Sequence, residues 1–137
     1  MPADRLEFLS PPGAIEPTGP WSLGVRAGDL VFVAGMRGID PTTNMLVEGD
    51  EARIRQAFLN MRTVVAAAGG ELRDAVRLVV YVTDMGRHRP LVNKTQEELW
   101  GASPCPPRTI VEVSRLNQDD IVEVEGTFLC PQSPGTA

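Results

Sequence analysis

The feature that most constrains how this chain can fold is a helical periodicity in its middle. Ile54, Ala57, Phe58, Met61, Val64, Val65 and Ala68 recur at i, i+3, i+4 and i+7, which gives one apolar stripe along a helix of about five turns. Such a stripe is stable in water only when another apolar surface covers it. Gly69-Gly70 closes the helix, because glycine adopts the left-handed conformation that commonly ends one. The next regular run, Ala75 to Thr83 (AVRLVVYVT), is rich in β-branched residues and reads as a strand. The pair points to a sheet with the helix packed across one face.

The remaining segments extend that pattern. Trp21 to Arg26 and Leu30 to Gly35 read as a hairpin across the turn Ala27-Gly28-Asp29, with Gly35 ending the second strand. Asp40-Pro-Thr-Thr-Asn44 is a turn, and Asp84-Met-Gly86 is another. A second helix is expected from near Pro90, a residue favoured in the first helical turn, to Trp100 before Gly101. Three prolines make residues 102 to 107 an extended loop. Strands then follow at Arg108 to Val113 and Ile121 to Leu129, around a polar turn at Asn117-Gln-Asp-Asp120, and a further strand can open the chain around Leu6 to Leu9. The order β-β-α-β-α-β-β predicts an α+β fold with both helices on one sheet face. With 137 residues and 42% hydrophobic composition, the expectation is one domain over 1–137, with 1–10 and 131–137 loosely ordered.

Strand alternation puts Arg108, Ile110 and Glu112 on one face, and Glu123 and Glu125 opposite Val122, Val124 and Phe128. Carboxylates in mid-strand are costly to bury alone. The face that bears them should therefore meet solvent, a cation, or a partner subunit with a pocket between.

Several functions are disfavoured at this point. Thirteen Lys and Arg against eighteen Asp and Glu give a net charge of −5, with no basic run to meet nucleic acid. No apolar stretch is long enough to span a membrane, and MPADRLEFLS does not read as a secretory signal, so the expected location is cytoplasmic. Cys105 and Cys130 stand beside prolines without partners at metal-ligand spacing, so no metal site is expected and both thiols should be reduced. Gly-rich phosphate loops, HExxH and Gly-x-Ser-x-Gly are absent. The single histidine, His88 in Gly-Arg-His-Arg-Pro, reads as a solvated loop residue rather than a general base.

What remains is Arg108, immediately after Pro106-Pro107, with Glu123 expected on the neighbouring strand. A guanidinium presents a planar fork of donors that matches a carboxylate. On spacing alone, Arg108 stays open between an anchor for a small organic acid and a surface ion pair.

Gly19-Pro-Trp21, Phe32-Val-Ala-Gly35 with Asp40-Pro41, Gln56 to Asn60 running into Ala66-Ala-Ala-Gly69, Val92-Asn93, and Pro107-Arg-Thr109 before Val111-Glu-Val113 stand in a characteristic order. Together with the closing Val122-Glu-Val-Glu125 they resemble the RidA/YjgF reactive-intermediate deaminases over about Pro11 to Cys130. The resemblance implies a chorismate-mutase-like α+β fold and a homotrimer whose sheets form a central barrel, with sites between subunits. It also implies hydrolysis of 2-imino acids, and of enamines that tautomerise to them, to a 2-keto acid and ammonia without any cofactor. On matching positions, it makes Arg108 the carboxylate anchor and Glu123 the group that orients water. By the same matching Gly35, Asn93 and Trp21 are expected to line the pocket, and main-chain groups around Gly35 and Ile110 are expected to donate hydrogen bonds to the substrate.

Three departures from the family's pattern bear on substrate. Trp21 stands where many members have tyrosine, Ala34 where serine is frequent, and Ile110 where cysteine is frequent. The expected pocket is more apolar, which suits a longer substrate. A 2-aminomuconate-type deaminase of aromatic degradation is therefore one alternative, and a binding or chaperone-like module without turnover is another. Ribonuclease action or translation inhibition, also attached to the family, fits poorly with a net charge of −5 and a single histidine.

Overall fold

The computed structural model describes residues 5–132. Its elements are β1 (Glu7–Leu9), β2 (Gly24–Ala27), β3 (Leu30–Arg37), β4 (Ile39–Asp40), β5 (Met45–Leu46), α1 (Asp50–Ala66), β6 (Ala75–Val82), α2 (Met85–Trp100), β7 (Arg108–Glu112) and β8 (Val122–Leu129). Six strands form one sheet in the order β1-β2-β3-β8-β6-β7, and β4 with β5 makes a separate two-stranded hairpin. Every pairing in the large sheet is antiparallel except β6 with β7. Those two run parallel because α2 carries the chain back between them, the crossover that parallel neighbours require.

Both helices pack on one face of the sheet, as the periodicity predicts. Ile54, Ala57, Phe58, Met61, Val64 and Val65 of α1 meet Val80, Val82, Val122, Val124 and Phe128 in a single apolar core. Phe58 and Trp100 join the two helices edge to face, with ring centroids 6.1 Å apart. Gly69 takes φ 82 just beyond α1, in the left-handed region anticipated for the helix end.

Four readings are corrected. Gly35 does not end β3: the strand runs on to Arg37, across a bulge between Val33 and Met36 where β8 contributes fewer residues. The strand before it starts at Gly24 rather than Trp21. Helix α2 begins at Met85, not near Pro90, because Asp84 caps it: its carboxylate accepts from Arg87 N–H at 3.1 Å. Pro90 lies inside the helix on an exposed position, where water can satisfy the carbonyl it leaves unpaired. His88 is accordingly helical and 3% exposed, with Nε2 3.5 Å from Asp50.

Glu7–Leu9 of the lead-in pairs with β2 and forms one edge of the sheet. The expectation of loose ends for residues 1–4 and 133–137 lies outside the described residues.

Candidate active site

The predicted site residues fall into two clusters on opposite faces of the sheet. Arg108 is in register with Leu78, a core residue, and so points toward the helices. Glu123 is in register with Tyr81 and alternates with buried Val122 and Val124, so it points to the open face. Strand β6 separates β7 from β8, which corrects the expectation that Arg108 and Glu123 occupy neighbouring strands. Two strand spacings and a three-residue offset put their Cα atoms about 14 Å apart.

The first cluster is built by α2 and the start of β7. The Nη1 of Arg108 donates to Asn93 Oδ1 at 2.8 Å and to Gln96 Oε1 at 2.9 Å. Asn93 and Gln96 are three residues apart and share a helix face. Burial lowers the pKa of Arg108, the nearby Arg89 adds to the effect, and Cys105 opposes it. No carboxylate pairs with Arg108 among the described residues. Ile110 packs its side chain toward the core beside Val80. Its main chain faces the other way: Leu78 N–H donates to Pro107 C=O and Val113 N–H to Val82 C=O, so Arg108 and Ile110 turn their peptide groups to the open edge of β7.

The second cluster is a pocket of about 340 Å³ lined by Ile15, Thr18, Trp21, Ala34, Gly35, Arg37, Ile39, Asn117 and Glu123. The bulge in β3 places Gly35 directly against Glu123, and a Cβ there would collide with the carboxylate. Burial pushes the pKa of Glu123 up, Arg37 opposes this, and Glu125 and Asp120 reinforce it. Glu125 is itself engaged, accepting a hydrogen bond from Tyr81 Oη at 2.8 Å.

Arg37, Asp120 and Gln96 were not anticipated. The Nη1 of Arg37 donates to Asn117 C=O at 3.0 Å and lies 3.4 Å from Asp120 Oδ2, while Nη2 donates to Gln118 Oε1 at 2.9 Å. Asp120 also accepts from Gly38 N–H at 3.1 Å and Ile121 N–H at 2.7 Å. Sequence carries no signal for this pairing, since the partners are 83 positions apart. Gln96 could have been found from its spacing to Asn93. A larger cavity of about 800 Å³, between the C-terminal ends of the helices and Pro11-Pro12, contains none of the predicted site residues. Among the described residues no group of His, Cys, Asp and Glu could hold a metal ion, and no helix is long and apolar enough to cross a membrane.

Two helices on one face of a mixed sheet, with β6-α2-β7 as the only parallel crossover among the described residues, define the RidA-like class of α+β domains. The chain belongs to the RidA/YjgF family: the family model described as Endoribonuclease L-PSP matches residues 12–129. A 2-iminobutanoate/2-iminopropanoate deaminase of Dermatophagoides farinae is 36% identical over 121 residues, covering 86% of this chain and 91% of that protein. The solved structure of a probable translation initiation inhibitor from Rhodopseudomonas palustris is 50% identical, with a TM-score of 0.90 over 93% of this chain and 100% of that one. RidA from an Antarctic Psychrobacter is 31% identical, with a TM-score of 0.85 over 90% and 98% of the two chains.

Proposed function

We propose that this chain, as one domain working in a cytoplasmic homotrimer, hydrolyses 2-imino acids and their enamine tautomers to 2-keto acids and ammonia. The observation that carries the proposal is Arg108: partly buried, held by two neutral amide oxygens, and without a carboxylate partner among the described residues. A desolvated guanidinium in that state is suited to an anion from outside. The deaminase named among the relatives supports an imine as the group attached to that anion.

The chemistry needs little beyond placement. A protonated imine carbon already accepts water, so orientation and a proton acceptor suffice. Arg108 holds the carboxylate, and the open main chain of β7 at Ile110 offers further hydrogen bonds. Glu123 takes a proton from water as its oxygen bonds to C2, then returns it to the amino nitrogen. The C2–N bond breaks and ammonia leaves as the carbonyl forms, the hydroxyl proton passing to the Glu123 carboxylate and from there to the departing ammonia. The raised pKa of Glu123 makes its carboxylate a better base than an exposed one. No metal or organic cofactor enters this scheme.

Because Arg108 and Glu123 lie on opposite faces, the proposed site takes Arg108, Asn93 and Ile110 from one subunit and Glu123, Gly35 and Trp21 from the next. The open sheet face supports this, since Phe8, Leu30, Phe32 and Leu129 are all at least 38% exposed there. The test is suppression of semicarbazone formation when an amino-acid oxidase generates 2-imino acids beside semicarbazide. Suppression by the wild type that is lost in Arg108→Ala is expected; no suppression with short or long side chains would overturn the reading.

A second reading has one observation in its favour. Arg89 is exposed, has no ion pair among the described residues, and lies close enough to depress the pKa of Arg108. A second cation suits an unsaturated dicarboxylic substrate of the 2-aminomuconate type. Faster turnover of a dicarboxylic substrate than of a monocarboxylic one in parallel assays would favour it.

A further inference from the structure

We infer that Gln96, acting with Asn93, is a positioning residue that fixes which edge of Arg108 receives a carboxylate. The inference rests on the reading of Arg108 as the carboxylate anchor. Nη1 has two N–H groups, and they match two acceptors, Asn93 Oδ1 at 2.8 Å and Gln96 Oε1 at 2.9 Å. A guanidinium only donates, so both amides must turn their oxygens toward it. Gln96 is 4% exposed, and without Arg108 that oxygen would lose its partner in a place water scarcely reaches.

The consequence is geometric. A carboxylate approaching end-on, across Nη1 and Nη2, would have to take an N–H from one of the amides. The side-on edge, Nε with Nη2, has no hydrogen-bond partner among the described residues. Asn93 and Gln96 are both rooted in α2, so the guanidinium plane is set by a helix rather than by a loop. The amide of Asn93 is spent in the same way: its oxygen serves Arg108 and not the substrate. Gln96 selects side-on binding without touching the ligand.

The test uses the full chain and 2-oxobutanoate, the keto acid that hydrolysis of 2-iminobutanoate yields. In ¹H–¹⁵N spectra of the arginine side chains, the Nε–H signal missing from Arg108→Lys should move as 2-oxobutanoate saturates the wild type. Gln96→Met keeps the length of the side chain and removes the acceptor, and should weaken 2-oxobutanoate binding about tenfold by calorimetry. A wild-type Nε–H that stays in place at saturation would overturn the inference even if the variant failed to fold. So would a folded Gln96→Met that binds within about twofold of wild type. In either case the anchor reading survives. If the wild type does not bind 2-oxobutanoate, or Arg108→Ala binds it equally, the anchor reading falls and takes the inference with it.

Discussion

Glu123 illustrates how a single residue's surroundings set its chemistry. It is one of two acidic side chains facing the open side of β8, yet they differ: Glu125 accepts a hydrogen bond from Tyr81, whereas Glu123 lies in the pocket beside Gly35. Burial raises its folded-state pKa, so the folded chain binds a proton there more readily than the unfolded chain does. The cost of its charge is fully present above the folded pKa and vanishes below the unfolded one. Glu123→Gln should therefore melt at a higher temperature than wild type near pH 8, with the difference closing as pH falls into the ordinary carboxylate range. In the same variant imine hydrolysis should fall by about 100-fold or more, the contribution of a positioned general base. Equal melting curves at both pH values would show that burial does not penalise this carboxylate.

At the scale of elements, the bulge in β3 and the segment before β8 hold the Glu123 pocket in shape. Arg37 follows the bulge, and its guanidinium bridges to Asn117, Gln118 and Asp120, where consecutive Gln118 and Asp119 have φ of 57 and 55. Left-handed conformations at two adjacent non-glycine residues persist only when neighbours enforce them. The side chains of Arg37 and Asp120 are 7% and 0% exposed, so removing one leaves a buried charge without its partner. Asp120→Ala should destabilise the chain by about 3–5 kcal/mol, read from urea denaturation, and loosen the pocket more than the α2–β7 cluster. The same scale shows where local sequence misleads. Pro90 by its type suggests the first turn of α2, but the cap at Asp84 defines the start, and the proline is tolerated on an exposed face. Likewise Gly35 suggests a strand end, whereas its missing side chain makes room for Glu123 inside a bulge.

For the whole molecule, the separation of Arg108 from Glu123 has a direct experimental expression. If the chain forms the proposed trimer and a site joins one subunit's helix-side cluster to the next subunit's open-face pocket, two inactive variants can complement each other. Arg108→Ala and Glu123→Gln, unfolded together and refolded as a mixture, should regain about a quarter of wild-type activity in randomly mixed trimers. Each variant refolded alone should stay inactive. A mixture as inactive as its parents, in trimers shown by native mass spectrometry to contain both chains, would place the two residues in separate sites.

The amino-acid sequence by itself determined α1, the presence of α2 but not its start, the strands of the large sheet in their order, and the faces of the last two strands, because each is written in the spacing of neighbouring residues. Ile54 to Ala68 could be read without any partner, and so could the alternation of Glu123 and Glu125 with Val122 and Val124. Arg108 and Glu123 were legible as candidates through resemblance, while their relation was not. Only the tertiary structure decided that β6 stands between their strands, that they face opposite sides, that Gln96 lies beneath Arg108, and that Arg37 reaches Asp120. Those facts depend on which distant segments pair and in which register, and pairing is fixed by the burial of the whole core, not by any local pattern.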